Sequence, residues 1–585
     1  MNRCLLVWLL AMQLTAPAWS AASGPESARS LTVELWATRT VKTLQVMPLD
    51  STKNQRAALQ VEWTPEGLQV SPGRMVKQLS LSGNYRLTSK GPENVSDAQV
   101  VAAAGKWTIG WRRDGLGVRL TLPSERYVVA ALSGEAAPDE PMASLKAMAI
   151  SMRTYALLNA NRHRAQGFGL CDSTHCQALR LGAARPEVER AVRETAGETL
   201  WFAGRRAHVY YTQHCGGGSE AAGNVWPGER APYLAGEHAD PYCLRRSRAE
   251  WHAEIPLAEL SGIFRGQGWQ TPSPVEAVRV TRRSRGGRAE LLQISGQGAP
   301  AELSASSFRF AVDRALGWNR IRSDWYTASV SGRALEITGR GYGHGVGLCQ
   351  AGAYEMAAEG HSDTEILSFY FPGVVAAITP ADHGWQRVEG AGWTLLTTSP
   401  ADGLLAEGNA AWARAQSLLG GPAPAPTVEE LPNTELFRQT TNEPGWMLAS
   451  TRGTTVFLQP AGVRRNNGGT EALLLHEFLH VLVEQQAGKH APLWLREGLV
   501  ETLTGPGEEK LANLPASEVD AALAHPANAA VSRRAHEVAS RMAALLCARY
   551  GMPAVREFLR NGVPPDVLKS LPEHAVASPG GGSGS

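Results

Sequence analysis

The hydrophobic pattern changes period at Pro123, and that switch constrains the fold more than any other feature of the 585-residue chain. From Ser30 to Leu122 short alternating stretches follow one another, LTVELWA, KTLQVMPL, ALQVEW, YRLTS, KWTIGW and GLGVRLTL, separated by Gly, Pro, Asn and Ser. Alternation of period two, punctuated by turn residues, predicts a run of β-strands. Beyond Pro123 apolar residues recur at helical spacing, in Tyr127–Leu132 and again in Met142–Leu158. Asp139 is placed to cap the second of these helices, with Pro141 in its first turn. Strand and helix signals then mix to about Pro372, His383–Gly392 reads as a connector, and a second mixed pattern opens at Trp393. That later part predicts helices over Gly403–Leu418, Glu471–Gln486 and Ala535–Tyr550. The fold class is therefore multidomain α+β. A β-rich part covers 30–122, a mixed core 123–380, a linker 381–392 and a second α+β domain 393–570, before a flexible, low-complexity tail over 571–585.

Composition narrows the partners. Hydrophobic residues make up 43% and charged residues 19%, a globular balance, and 57 Lys+Arg against 55 Asp+Glu leave a net charge of +2. That excludes the basic footprint of a nucleic-acid binder. Residues 1–22 carry Arg3, an apolar run from Leu5 to Met12 and small residues near Ala18 to Ala22, the pattern of a secretory signal peptide. The run is shorter than the ~20 residues that span a bilayer. The expectation is a periplasmic or secreted protein with no membrane span. Six cysteines follow Cys4: Cys171, Cys176, Cys215, Cys243, Cys349 and Cys547.

Two regions concentrate chemistry. In EALLLHEFLHVLVEQQ, His476 and His480 are four residues apart and share one helix face, the spacing at which two imidazoles grip one Zn²⁺. Glu477 stands beside the first of them, able to take a proton from a metal-bound water. After GKHAP the segment APLWLREGLVETL resumes a helix; Glu497 on it is the candidate third ligand and Glu501 the competitor. In the central region Glu135 is set between a helical stretch and a Pro turn, with Gly134 and Ala136 as small neighbours. GFGLCDSTHCQAL packs Cys171, His175 and Cys176 into six residues, and GRGYGHGVGLCQAGAYEMAAEG is a Gly-rich loop leading into a helix. Its glycine spacing fits neither the Rossmann fingerprint nor a Walker loop, which excludes nucleotide binding on this motif.

HEFLH followed by PLWLREGLVE resembles the gluzincin zinc metallopeptidases, especially the peptidase-MA-like branch, over about Trp393 to Leu559. The resemblance implies a metallopeptidase with Glu497 as third zinc ligand and a peptide or protein substrate. His536 stands where that family often has a tyrosine, and is the candidate oxyanion donor; an exposed helix residue is the alternative. ERYVVAALSGEAAP with LKAMAISMRTYAL, then LCDSTHCQ, then HCGGGSEAAGNVWPGERAPYL, then GRGYGHGVGLCQAGAYEMA with ILSFYFPG, resemble in that order the SpoIID/LytB family of cell-wall proteins.

That second resemblance implies a lytic transglycosylase acting on peptidoglycan glycan strands, with Glu135 as its single acid/base. Such an enzyme needs one carboxyl where hydrolases usually need two, because the sugar's own hydroxyl attacks the anomeric carbon. Arg153, Tyr155, His344 and Gln350 become candidate substrate contacts, and for Tyr155 helix packing is the alternative. Some members of the family hold zinc, which here would fall to His163, Cys171, His175 and Cys176; a Cys171–Cys176 disulfide is the competing reading. Cys215 and Cys243 form a further candidate disulfide, and Cys349 has no evident partner. LytB-type relatives also include enhancers of other hydrolases, so peptidoglycan binding or amidase enhancement, with the metallopeptidase as sole catalyst, is the alternative function.

Overall fold

The computed structural model describes residues 30–49, 58–89, 99–226, 228–236, 238–317, 319–379, 381, 384–421, 425–464, 469–505, 514–515, 518–524 and 529–571. The signal peptide expected over 1–22 and the tail from 572 onward lie outside these residues. Two units divide the chain: Met1–Phe202 with Arg206–Thr379, and Ala203–Arg205 with Pro380–Ser585.

In the first unit the alternating segments build one nine-stranded sheet. Its strands are β1 (Ser30–Leu35), β2 (Thr43–Pro48), β3 (Leu59–Thr64), β4 (Gly67–Val70), β5 (Arg74–Val76), β6 (Gln78–Ser89), β7 (Gln99–Trp111), β8 (Leu116–Pro123) and β9 (Leu170–Cys171). They lie in the order β5-β4-β3-β2-β6-β7-β8-β1-β9. Every pairing is antiparallel except the last, where β9 runs parallel to β1. Alternation decides which face is covered: Val33, Val46, Val61, Leu87, Trp107, Ile109, Val118 and Leu120 are all fully buried. Helix α1 (Ser124–Glu135) leaves β8 directly and α2 (Met142–Leu158) follows the Pro turn. From Leu145 to Leu157 α2 is buried on nearly every face, as a helix in the middle of a domain must be.

A satellite layer occupies 250–340. Two three-stranded sheets with the helices Leu257–Gly266 and Ala305–Leu316 enclose their own core of Ile255, Phe264, Leu292, Phe308 and Ile337. A short parallel pair, Tyr211–Thr212 with Leu348–Cys349, then brings the Gly-rich loop alongside the 210s.

The second unit has a five-stranded sheet in the order Gln386–Glu389, Thr394–Thr397, Thr427–Glu430, Thr455–Leu458, Ala449–Arg452. Its two inner pairings are parallel and its two outer ones antiparallel. Helix Thr470–Gln486 buries Leu474, Leu475, Phe478, Leu479 and Leu482, and Trp393 and Trp412 pack on Phe478 with ring centroids 5.8 and 5.2 Å away. Leu493–Thr504 lies close on Ala529–Asn561 because Gly498 has no side chain; a Cβ there would strike the Ala539 carbonyl. That final helix extends well past the expected Ala535–Tyr550 and is broken at Gly551 (φ 74°), just before Pro553, so two helical segments join at a kink. Among the described residues no helix is long and apolar enough to cross a membrane.

Candidate functional site

Glu135 ends α1 rather than standing in a free loop. Its neighbour Gly134 explains the placement, since a Cβ there would meet the Ala178 carbonyl at 3.0 Å. Gln350, at the start of the helix that follows the Gly-rich loop, donates from Nε2 to Glu135 Oε2 at 3.2 Å. Burial raises the carboxyl above its ordinary pKa, and the Gln350 hydrogen bond opposes that only in part. Tyr211 and Tyr342, which the sequence reading did not select, both sense the Glu135 charge. The arrangement is a half-buried carboxyl with a raised pKa, held by one amide.

His344, in the same loop, accepts the Val346 N–H at Nδ1, 3.0 Å away. Its ring meets Trp226 edge-on at 4.9 Å, and Tyr210 stacks on Trp226 at 4.2 Å. Burial first, then the Arg309 and Arg288 charges, push His344 down to about 3, so it is a neutral imidazole. Trp226 and Tyr210 stack on each other beside this loop, and neither was selected from the sequence.

Three expectations need correction. Arg153 does not face a groove: it is 1% exposed and forms a two-pronged ion pair with Glu125 of α1 at 2.9 and 2.7 Å, with further bonds to the Val192 and Glu198 carbonyls. Tyr155 is likewise buried, its hydroxyl accepting from Arg162 at 3.1 Å, and burial pushes it up to about 12. Asp139 does not cap α2. It accepts from the Tyr354 hydroxyl at 2.8 Å, while Glu140 takes the Ala137 N–H and the Ser144 hydroxyl of the first turn.

The Cys–His segment closes on itself. Asp172 accepts the N–H groups of Trp36 and Ala37 at 2.6 and 3.1 Å and so pins the loop beside β1. His163, Cys171, His175 and Cys176 then bring their donor atoms within 4.8 Å of one another. Both cysteines are free thiols rather than a disulfide. The Cys176 thiol, with Ser173 and His175, holds Cys171 well below the ordinary thiol range. Gln166 Oε1 lies 2.6 Å from His163 Nδ1 and fixes the tautomer that turns the Nε2 lone pair toward Cys176 Sγ, 3.4 Å away. Two thiols and two imidazoles so oriented are the donor set of a closed zinc site.

In the second unit His476 and His480 place their Nε2 atoms 3.1 Å apart, and Glu497 Oε2 is 3.8 Å from His480 Nε2. Burial pushes both imidazoles down to about 4, which leaves them neutral; the pairing of the two adds to this at His476. Glu477 accepts from the Thr451 hydroxyl at 2.5 Å, and burial lifts its carboxyl to about 7. Glu501 pairs instead with His536, whose Nδ1 is 3.5 Å away, and that contact raises the imidazole above its ordinary pKa. A cavity of about 520 Å³ opens onto His476, Glu477 and Glu501, and Trp446, 71% exposed, forms part of its wall.

Comparison with known proteins agrees with the first unit. Residues 112–202 match the family model of the stage II sporulation protein SpoIID. An uncharacterized protein of Brachyspira hyodysenteriae is 32% identical over 256 residues, 43% of this chain and 65% of the relative. The amidase enhancer of Bacillus subtilis is 24% identical over 275 residues, 39% of this chain and 37% of the enhancer. The stage II sporulation protein D of Bacillus amyloliquefaciens is 24% identical over 277 residues, 43% of this chain and 74% of that protein. The chain thus spans less than two thirds of the first two relatives. The similarity to SpoIID thus falls on residues 112–202 of the first unit.

Proposed function

We propose that the first unit is a lytic transglycosylase of peptidoglycan glycan strands and that Glu135 is its acid and base. The observation that carries this is a half-buried carboxyl, its pKa raised by burial and its Oε2 held by Gln350, within the span that matches SpoIID. In the first half of the reaction Glu135 gives its proton to the bridging oxygen as the bond to the muramic anomeric carbon breaks. In the second half the muramic hydroxyl attacks that carbon, its proton returns to Glu135, and an anhydro ring forms with no water consumed. Gln350 holds the ionised carboxylate between the two halves, and Tyr210 and Trp226 supply a stacking surface for a sugar.

The kinship with an amidase enhancer supports a second reading, in which the unit binds peptidoglycan and stimulates another hydrolase. Glu135→Gln separates the two. Anhydro-ended fragments should vanish from the mass spectrum of digested peptidoglycan if the carboxyl is catalytic, whereas enhancement of an added amidase should survive the change if binding is the whole function.

For the second unit the proposal is a gluzincin-type zinc peptidase, with His476, His480 and Glu497 as the residues that would hold the metal. Zinc, when bound at such a site, polarises a scissile carbonyl and acidifies a water. Glu477, oriented by Thr451, takes the proton from the attacking water and delivers it to the leaving amine. His536, its pKa raised by its contact with Glu501, donates to the developing oxyanion, and Trp446 offers an apolar wall to a substrate side chain. Glu477→Ala should abolish proteolysis while zinc content stays at the wild-type level; undiminished cleavage of a casein substrate would remove Glu477 from the mechanism. The Cys171 cluster is proposed as a separate structural zinc site. An exported location, where peptidoglycan is found, completes the reading.

A further inference from the structure

Three cysteines that the sequence reading left as a disulfide and an orphan converge at one buried point. Cys215 lies in the loop after Tyr211–Thr212, Cys243 in the first turn of Pro241–Arg246, and Cys349 ends the strand Leu348–Cys349. Asp240 caps the Pro241–Arg246 helix through the Cys243 N–H. The four donor atoms lie within 4.8 Å of one another, and all four side chains are buried. We propose that Cys215, Cys243, Cys349 and Asp240 form a second structural metal site, of Cys₃Asp type and selective for Zn²⁺.

Geometry favours a metal over a disulfide. Cys215 Sγ and Cys243 Sγ are 3.4 Å apart and all three cysteines are free thiols. A disulfide requires about 2.05 Å, whereas two thiolates on a tetrahedral Zn²⁺ at about 2.3 Å each sit roughly 3.8 Å apart. A disulfide between any two would also strand the third thiol in the core. Polar contacts around the cluster are those that support ligating sulfur and carboxylate. The Cys215 N–H donates to Cys349 Sγ at 3.2 Å. Gly216 and Gly217 both hold positive φ, 78° and 97°, which the tight turn after Cys215 requires. The Tyr370 hydroxyl donates to Asp240 Oδ2 at 2.9 Å, the outer-shell bond that orients a ligating carboxylate.

Charge points the same way. Among the described residues no lysine or arginine pairs with Asp240, although its side chain is wholly buried. An isolated buried carboxylate is costly, and a divalent cation neutralises it in place. The buried guanidinium of Arg288 donates to the Cys215 carbonyl and adds positive charge at the edge of the cluster.

The site joins three separate segments, and Cys349 immediately precedes Gln350, the donor to Glu135. Metal binding therefore anchors the helix Gln350–Ala358 at its first turn. Gly352 permits the close approach, since a Cβ there would run into the Tyr370 hydroxyl and Asp240.

The test counts zinc by mass spectrometry on full-length protein purified without reductant or chelator. Cys349→Ser should hold one zinc fewer than wild type, Cys171→Ser/Cys176→Ser should lose a different one, and the combined variant should lose both. Should Cys349→Ser fail to fold, the Cys171→Ser/Cys176→Ser variant decides: denaturing it without chelator should release a zinc in step with labelling of Cys215, Cys243 and Cys349, and labelling of the three with no accompanying zinc release would overturn the site. A Cys215–Cys243 disulfide in the peptide map, or unchanged zinc content in folded Cys349→Ser, would overturn the assignment.

Discussion

Glu135 and Arg153, an acid on α1 and a base on α2, take different roles from their surroundings. Arg153 spends its whole fork on Glu125 and two carbonyls, so it holds α1 to α2 and touches nothing outside. Its reading as a substrate contact failed because the partner lies 28 residues earlier, and no local pattern announces that pairing. Glu135 has a single side-chain donor and is raised by burial. An acid with its pKa raised keeps its proton to higher pH, so the rate should fall on the alkaline side as pH rises through that value. Gln350 stabilises the ionised form; removing it should raise the pKa further. The alkaline limb of the pH–rate profile should therefore move to higher pH in Gln350→Leu, and a shift to lower pH would contradict the assignment. The same sign governs stability. The folded pKa lies above the unfolded one, so Glu135 costs stability as pH rises through it. Glu135→Gln should accordingly melt above wild type in mildly alkaline buffer, with the difference shrinking toward acid pH.

Elements were more legible than contacts. The change of period at Pro123 separates β8 from α1 at the residue where it occurs, and Met142–Leu158 is helical over the stretch its apolar spacing marks. The Gly-rich loop leads into a helix, as its composition suggests, but Tyr211, Tyr342 and Trp226 reach the site from loops and a two-residue strand that periodicity does not register. A tyrosine among glycines in GRGYGHG was the available signal for Tyr342. No side chain caps α2: its N-cap is Pro141, and the Asp139 carboxylate accepts instead from Tyr354, 215 positions away. The Cys349 thiol appeared unpartnered for the same reason: its neighbours Cys215 and Cys243 are distant in sequence and close only once the strand Leu348–Cys349 pairs with Tyr211–Thr212. Packing of the HEFLH region depends on Gly498, so Gly498→Ala should push Leu493–Thr504 off its neighbour and cost about 1–3 kcal/mol.

For the whole molecule, the two units have separate cores. One centres on the large sheet with α1 and α2, the other on Trp393, Trp412, Phe478 and the helices around them. Glu125→Gln leaves the buried Arg153 guanidinium unpaired, a loss of about 3–5 kcal/mol, and this belongs to the first core alone. Calorimetry of the full chain should show separate transitions, with Glu125→Gln lowering one and Gly498→Ala the other. One cooperative transition lowered by both changes would contradict that division. The distribution of chemistry follows the same split: a carboxyl held by Gln350 and two thiol clusters in the first unit, and two imidazoles with three carboxylates in the second.

The most direct test of the central claim is to digest peptidoglycan in ¹⁸O-labelled water and weigh the new glycan ends. A Glu135-driven transglycosylase forms ends lighter by one water and free of the label, and Glu135→Gln should slow their appearance by ~10²–10⁴-fold. Labelled reducing ends from the wild type, or anhydro ends made at the wild-type rate by Glu135→Gln, would contradict the mechanism.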